Sequence, residues 1–302
     1  IHDIGNPPFG HFGEEAIRDW FLKNLPALSY QGKRLDEMFT EQMKADFYHF
    51  EGNAQALRLV TKLHYLVDEH GMNLTYALLN TIIKYPVSSL EINEKSGNIR
   101  EKKMGYYCAD TDVFRRITSA TGAGNCRHPL TYILEAADDL AYKTADIEDA
   151  FVKGFITYST LERELTVLDG REPRSPFRAG EKLRQLYERG IKKGVSSPED
   201  YAVKNWIVSA QGFLISCATF GFTSNYDSIM DGSFGKDLFY GTFGEALMDL
   251  LGDMAYRRVF TSRAIYRMEV HESTILNYLM DRLVHAVLHF DTDDRPESID
   301  AR

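Results

Sequence analysis

The chain has 302 residues, of which 44% are hydrophobic and 26% charged, and its formal net charge at pH 7 is −9. This length and composition allow a substantial core, arranged as one large domain or two. No run approaches the roughly 18 uninterrupted apolar residues of a membrane span, and the negative charge argues against a broad electrostatic grip on nucleic acid. Three widely spaced cysteines without a CxxC motif indicate reduced thiols and a cytoplasmic protein.

Apolar residues recur with a helical period along most of the chain. This pattern predicts a helix from Glu14 onwards and further helices over 53–66, about 74–85, 130–151, 201–219, 243–260 and 272–290.

Strand signals are scarce by comparison. A short extended or hairpin region is predicted around residues 90–107, where Ser96-Gly97-Asn98 supplies turn chemistry. Two stretches rich in Gly, Pro, Ser and Asp, 164–180 and 221–241, are predicted to be loops between helices. The predicted fold class is therefore all-α, mainly helical, with at most a short hairpin around 90–107.

The first fourteen residues, IHDIGNPPFGHFGE, place His2 beside Asp3 and return a second pair, His11 and Glu14, after a bend rich in Gly and Pro. An imidazole next to a carboxylate suits a divalent ion such as Mg, Mn, Co, Ni or Zn, although two ligands cannot hold one alone. Two prolines end any helix that carries His2 near Asn6. His11 and Glu14 are spaced i, i+3, so the carboxylate can orient the imidazole. Their alternative reading is an acid at a helix start and an interior histidine.

A second chemical cluster is EAADDLAYKTAD, from Glu135 to Asp146. On a helix, Asp138, Tyr142 and Asp146 are spaced i, i+4 and i+8 and share one side. They interrupt an apolar stretch, where an unpaired buried carboxylate is costly and a metal or ligand would resolve that cost. The alternative is a solvated acidic helix face.

The opening string closely resembles the start of the catalytic core in bacterial deoxyguanosine triphosphate triphosphohydrolases, a family of the HD phosphohydrolase superfamily. Other segments look like family segments in family order: FEGNAQALRLV at 50–60, IIKYP at 82–86, CRHPLTYILEAADDLAY at 126–142, and FGEALMDLL through YRRVF at 243–260. The resemblance covers most of residues 1–290. It implies a single HD-type catalytic core over 1–302, with the metal and catalytic motifs in 1–160 and a helical continuation in 161–302.

By this resemblance, His2, Asp3 and Asp138 are ligands of one divalent ion per site, Mg or Mn, with Co, Ni or Zn as alternatives. His11 becomes the proton-transfer residue beside the attacked phosphorus, and Glu14 its orienting partner. The family's further metal-binding histidine, on a helix upstream, is not in this sequence. The family's basic and aromatic substrate-contacting segments near the C-terminus also lie beyond Arg302, so we expect the chain to be the middle of a longer enzyme, truncated at both ends.

The resemblance also implies substrate contacts. Tyr142 and Asp146 would face the deoxyribose, Lys84 would contact phosphate, and Asn53 could reach the pocket. Two of these positions have a structural alternative. A helix C-terminus, which Lys84 is predicted to occupy, favours any cation, and a helix cap would explain Asn53.

The activity implied is hydrolysis of dGTP, or of other dNTPs, at the alpha-phosphorus to a deoxynucleoside and inorganic triphosphate. A homo-oligomer, a hexamer by resemblance, and a single-stranded DNA effector are further implications, with no membrane partner. Two alternatives stay open: another HD-domain nucleotide phosphohydrolase, and a catalytically weak subunit that binds nucleotides or single-stranded DNA. The basic stretch 171–193 is a candidate strand-binding patch, with a solvated surface as the favoured reading.

An HxxxH pair, His285 and His289, could bind zinc on one helix face, with Asp281 one turn earlier. A zinc protease would carry Glu directly after the first histidine, and Ala286 stands there. Ordinary histidines on an amphipathic helix are therefore the preferred interpretation.

Overall fold

The computed structural model describes residues 1–65, 70–290 and 292, and that part of the chain is mainly helical. The prediction of an all-α fold is confirmed. The helices within these residues are α1 Gly10–Asn24, α2 Leu35–Met38, α3 Glu41–Tyr48, α4 Gly52–Arg58, α5 Tyr76–Thr81, α6 Thr111–Thr121, α7 Pro129–Val152, α8 Tyr158–Arg171, α9 Ala179–Lys193, α10 Pro198–Ser224, α11 Tyr226–Met230, α12 Glu245–Ala255 and α13 Arg263–His289. Single π-helical turns extend α4 over Leu59–Leu63 and α12 over Tyr256–Phe260.

The short hairpin lies elsewhere than predicted. β1, Ser29–Tyr30, pairs antiparallel with β2, Lys33–Arg34. The two residues between them, Gln31 and Gly32, both have positive φ, at 49° and 75°, which is the backbone of the tightest hairpin turns. Strands of two residues are too short to show alternation, so the sequence pattern could not reveal them.

Residues 90–107 contain 3-10 turns instead of the predicted hairpin, at Ser89–Glu91, Glu94–Ser96 and Ile99–Glu101. The first turn is fixed by a capping box, because the Ser88 backbone N–H and hydroxyl both donate to Glu91 Oε2, at 2.8 and 2.6 Å. The prediction of a hairpin in this region is therefore wrong.

Several helix boundaries also differ from the predicted ones. α5 is only Tyr76–Thr81, with the Thr75 hydroxyl accepting from the Leu78 N–H at its start. The predicted helix 53–66 ends its described part in the π-helical turn at residue 63, and residue 66 lies outside the described residues. α10 starts at Pro198, three residues earlier than predicted, behind the capping hydroxyl of Ser197.

The predicted loop over 164–180 is mostly helix, since α8 runs to Arg171 and α9 begins at Ala179. Asp169 supplies the reason. Its buried carboxylate, on the last turn of α8, accepts from the backbone N–H groups of Gly180 and Glu181, both at 3.0 Å. Asp169, whose residue type is common in loops, therefore caps the N-terminus of α9 from the last turn of α8. The predicted loop 221–241 is likewise shortened by the end of α10 and by α11.

The chain divides into two compact units, Ile1–Thr131 with Arg267–Arg302, and Tyr132–Tyr266, named unit 1 and unit 2 below. The prediction of one catalytic core over 1–302 with a division near residue 160 stays a prediction, since two compact units can belong to one domain or to two.

In unit 1, a core cluster joins α1 to α13. Its buried members are Trp20, Leu25, Leu28 and Leu35, with Phe21, Phe47, Met280, Val284 and Leu288 packed around them. The indole Nε1 of Trp20 donates to Asp281 Oδ1 at 2.7 Å. The carboxylate next to the HxxxH pair therefore already serves as the acceptor for a buried tryptophan, which favours the structural interpretation of His285 and His289.

In unit 2, α9 packs against both α8 and α10. Trp206 of α10 is fully buried, and its Nε1 donates to the Ala179 carbonyl at 2.8 Å. Of the helices that the structure describes, α10 is the one long and apolar enough to span a membrane by length and composition. Length and composition do not separate a membrane span from a core helix, and 28% of the apolar window of α10 is buried within the chain.

The bond between Trp20 and Asp281 gives a stability prediction. Replacing Asp281 by Ala leaves the buried indole N–H without its acceptor, so we expect the free energy of unfolding to fall by about 1–3 kcal/mol. Urea unfolding monitored by tryptophan fluorescence measures the change. The exposed His285→Ala on the same helix is the matched control and should stay within about 0.5 kcal/mol of wild type. Equal unfolding midpoints for both variants would contradict the assigned bond.

Candidate active site

His2 and Asp3 lie in a run of hydrogen-bonded turns, in which the Ile4 N–H donates to Ile1 O and the Asn6 N–H donates to Asp3 O, each at 3.1 Å. His2 Nε2 is 3.0 Å from Asp3 Oδ2, and Asn6 Nδ2 donates to Asp3 Oδ1 at 3.2 Å. An imidazole nitrogen and a carboxylate oxygen therefore lie together, and the other carboxylate oxygen is oriented by an amide. This donor set fits a divalent cation, and Asn6 is the kind of supporting residue that orients a ligand.

The bend after Asn6 determines where the second pair lies. Phe9 and Gly10 both have positive φ, at 70° and 59°, and α1 starts at Gly10. The first turn of α1 packs so tightly on this bend that a Cβ at Gly13 would lie 2.0 Å from the Pro8 carbonyl oxygen. Only glycine fits there, and the bend therefore places His11 and Glu14 on the first turn and a half of the helix.

His11 Nδ1 is 3.2 Å from Glu14 Oε2. The imidazole side chain is 84% exposed, whereas the Glu14 side chain is 3% exposed. The hydrogen bond to Glu14 is the main reason that the pKa of His11 is raised above its ordinary value. Burial alone would raise the pKa of Glu14, but the hydrogen bond with His11, the charge of Lys103 and the Gly52 N–H together lower it. The pair is thus a buried carboxylate whose pKa is lowered, behind an exposed imidazole whose pKa is raised.

The opposite side of Glu14 faces the start of α4. The Gly52 N–H donates to Glu14 Oε1 at 2.8 Å. A Cβ at Gly52 would lie 2.5 Å from Asn6 Oδ1 and 2.8 Å from Glu14 Oε1. The absence of a side chain at Gly52 is therefore required for α4 to approach both Asn6 and Glu14.

A second buried carboxylate, Glu51, adjoins this pair and was missed by the sequence interpretation. Arg18 Nη2 and Lys103 Nζ lie 3.1 and 2.9 Å from Glu51 Oε2, and 3.5 and 3.7 Å from Glu14 Oε2. Two cations therefore sit between two buried acids. Glu51 lies inside the family-like segment FEGNAQ, but its role depends on burial and on partners 33 and 52 positions away, which no local pattern displays.

The predicted cap role of Asn53 is wrong. Glu51, with extended backbone, occupies the N-cap position of α4, and Asn53 lies inside the first turn. The Asn53 side-chain amide instead donates to Glu51 Oε1 at 2.7 Å. Asn53 therefore joins the network around the second carboxylate.

Lys84 does not close a helix, because α5 ends at Thr81. It is a buried residue of the segment between α5 and the 3-10 turn at Ser89–Glu91, and its carbonyl accepts from Arg127 Nε at 2.6 Å. The helix-terminus explanation for this cation is therefore excluded.

Asp138, Tyr142 and Asp146 lie on successive turns of α7, in unit 2. Tyr142 is 60% exposed, whereas Asp138 and Asp146 are half-buried. Burial, reinforced by the nearby charge of Asp149, raises the pKa of Asp146. Within unit 1, the structure brings together His2 with Asp3 and His11 with Glu14.

No protein-family model matches the chain. Curated relatives do match over nearly all of it. A deoxyguanosinetriphosphate triphosphohydrolase-like protein of Listeria monocytogenes is 42% identical over 97% of this chain and 62% of its own length. A probable deoxyguanosinetriphosphate triphosphohydrolase of Pseudomonas aeruginosa is 32% identical over 93% of this chain and 58% of its own length.

A deoxyguanosinetriphosphate triphosphohydrolase of Serratia proteamaculans is 31% identical over 93% of this chain and 59% of its own length. The chain thus spans about three fifths of the length of the curated relatives it matches. The predicted resemblance is confirmed: this chain is homologous, over more than nine tenths of its residues, to the family of deoxyguanosinetriphosphate triphosphohydrolases and their like-named relatives.

Proposed function

We propose that the chain belongs to a metal-dependent HD-type hydrolase that converts dGTP, or another dNTP, to a deoxynucleoside and inorganic triphosphate. The observation that carries this proposal is the His11–Glu14 pair, with an exposed imidazole backed by a buried, ionised carboxylate. The same N-terminal segment carries the His2–Asp3 donors. The names of the homologous proteins support the substrate class.

His2, Asp3 and Asp138 are the proposed protein ligands of one divalent ion, Mg or Mn, with Co, Ni or Zn as alternatives. Each side chain offers one nitrogen or oxygen of the type such ions accept. When bound, the ion would polarise the alpha-phosphate and neutralise part of its charge. Asn6, which holds the second oxygen of Asp3, would keep the carboxylate turned toward it.

The remaining proposed contacts belong to the substrate. Tyr142 and Asp146 would face the deoxyribose from α7. Lys84 would contact the phosphate chain, and Asn53 would reach the substrate pocket. The assignment of Lys84 follows from the resemblance of the IIKYP segment, 82–86, to the family. The side-chain amide of Asn53 donates to Glu51 and so lies beside that carboxylate.

The reaction requires one proton at the leaving group. Water attacks the alpha-phosphorus, a new P–O bond forms as the water gives up a proton to solvent, and the bond from phosphorus to the 5'-oxygen of the deoxynucleoside breaks. That oxygen leaves as an alkoxide unless it is protonated. His11 is the proposed donor, because its raised pKa favours the protonated imidazole and Glu14 stabilises the imidazolium.

Three further predictions stay predictions. They are assembly into a homo-oligomer (a hexamer by resemblance), binding of single-stranded DNA, and a cytoplasmic location. The basic stretch 171–193 gives the second of these little support. Several of its cations already have partners, since Arg184 Nε lies 3.2 Å from Glu162 and Lys193 Nζ 3.3 Å from the Tyr201 hydroxyl.

The activity is tested by incubating the full-length protein with dGTP and Mg or Mn and separating the phosphate products. We expect triphosphate and deoxyguanosine, loss of turnover with a chelator, and recovery when metal is restored. His2→Ala and Asp138→Ala should each lower kcat/KM by about 100-fold or more, since losing a ligand weakens metal binding. His285→Ala is the matched control and should retain activity.

Other products would decide against this proposal. Pyrophosphate or orthophosphate would indicate a different HD-domain nucleotide hydrolase. Nucleotide or single-stranded DNA binding without turnover, with salt-sensitive affinity, would indicate a binding subunit.

The proton-donor role of His11 predicts a pH dependence. A group that donates a proton must be protonated, so kcat/KM should be level at low pH and fall as pH rises through the raised pKa of His11. Glu14→Gln removes the main cause of that raised pKa, so the fall should start at lower pH. His11→Ala should reduce kcat by about 10²–10⁴-fold. Steady-state values of kcat/KM over about pH 5–9 cover both the level region and the fall. A kcat/KM that rises with pH through this range would show that His11 acts as a base.

A further inference from the structure

We propose that Glu51 is a positioning residue for the proton-transfer pair: its carboxylate draws Arg18 and Lys103 away from Glu14 and so keeps the Glu14 carboxylate with His11. The proposal concerns an arrangement within unit 1. Its consequence for turnover rests on the proposed function, whereas its consequence for His11 does not.

Distances on the two sides of the network support this role. Glu51 Oε2 lies within 3.1 Å of both Arg18 Nη2 and Lys103 Nζ, so both cations make close ion pairs with it. Glu14 Oε2 is farther from the same two atoms, at 3.5 and 3.7 Å, and lies 3.2 Å from His11 Nδ1. Both cations therefore lie closer to Glu51 than to Glu14, while each remains within ion-pair distance of both carboxylates.

Charge balance explains why Glu51 controls this choice. Two carboxylates that are both nearly inaccessible to water face two cations, and the four groups together are neutral. Without the charge of Glu51, both cations would have only Glu14 as an anionic partner in this network. They would then compete with His11 for Glu14 Oε2, and a net positive charge would face the imidazolium.

Uncharged groups hold Glu51 in place. Asn53 Nδ2 donates to Glu51 Oε1 at 2.7 Å, and the Tyr107 hydroxyl donates to the Glu51 carbonyl at 3.4 Å. Arg18 is anchored separately, through Nε to the Phe50 carbonyl at 2.7 Å. Because these contacts do not depend on the Glu51 charge, a glutamine at this position can keep the backbone and lose the electrostatic effect.

The titratable and charged groups that face His11 are Glu14 from α1, Lys103 from the segment before α6, and Glu51 from the start of α4. The negative charges of Glu14 and Glu51 raise the pKa of His11, and the positive charge of Lys103 lowers it. Substitutions at Glu51 and Lys103 should therefore move the His11 pKa in opposite directions, which loss of packing would not do.

The test is an NMR titration of His11 in full-length protein labelled with 13C at histidine, with the signal assigned by His11→Ala. Glu51→Gln should lower the His11 pKa and Lys103→Gln should raise it. The double variant should return the pKa toward the wild-type value. Asp110→Asn is the matched control, because Asp110 is an equally buried carboxylate that pairs with Arg58 at 2.9 Å and Lys62 at 2.6 Å. It should reduce stability and leave His11 unchanged.

Activity provides the second measurement. If wild type releases triphosphate, Glu51→Gln should lower kcat by about tenfold or more with KM within about threefold, and the alkaline fall of kcat/KM should begin at lower pH. Glu51→Asp, which retains the charge, should recover part of the loss.

The two proposals fail in different ways. No turnover by wild type would overturn the proposed function, while the NMR titration would still decide the role of Glu51. An unchanged His11 pKa in Glu51→Gln, or shifts of the same sign in Glu51→Gln and Lys103→Gln, would overturn the role of Glu51. Should Glu51→Gln not fold, a His11 pKa in Lys103→Gln that does not rise would overturn it equally.

Discussion

The burial of one carboxylate, Glu14, is the constraint on which the proposed active site depends. A buried negative charge is tolerated only when hydrogen bonds and opposite charges meet it. Here these come from separate segments, the Gly52 N–H at the start of α4, Arg18 one turn further along α1, and Lys103 before α6. Satisfying a single acid therefore holds three segments of unit 1 around the imidazole that the acid supports.

Much of the fold could be predicted from the periodic spacing of apolar residues, because a long helix with an apolar stripe shows that spacing in its own sequence. The long helices α7, α10 and α13 were predicted in place, with end errors of a few residues for α10 and a larger one for α13. What could not be predicted depended on partners elsewhere. Asp169 is a residue type common in loops, and only its contact with the Gly180 N–H shows that it caps α9. The strands at 29–34 depend on two positive φ angles, not on an alternating pattern.

The candidate site divides in the same way. His2 with Asp3 and His11 with Glu14 were found because each pair is close in sequence, and the structure places the members of each pair within hydrogen-bonding distance. Glu51, Arg18 and Lys103 escaped because their contacts bridge 33 and 52 positions. Their residue types are also ordinary on a surface, so only burial distinguishes them. Electrostatic support for a reactive pair is generally non-local in this sense.

Gly52 lies at the point where the two chemical pairs meet. Its amide holds Glu14, and its α-carbon fits against the Asn6 side chain that orients Asp3. Gly52 thus contacts both Glu14, which supports His11, and Asn6, which orients the proposed metal ligand Asp3. A shift at the start of α4 would disturb both at once, so the proposed cation binding and the proposed proton delivery would change together.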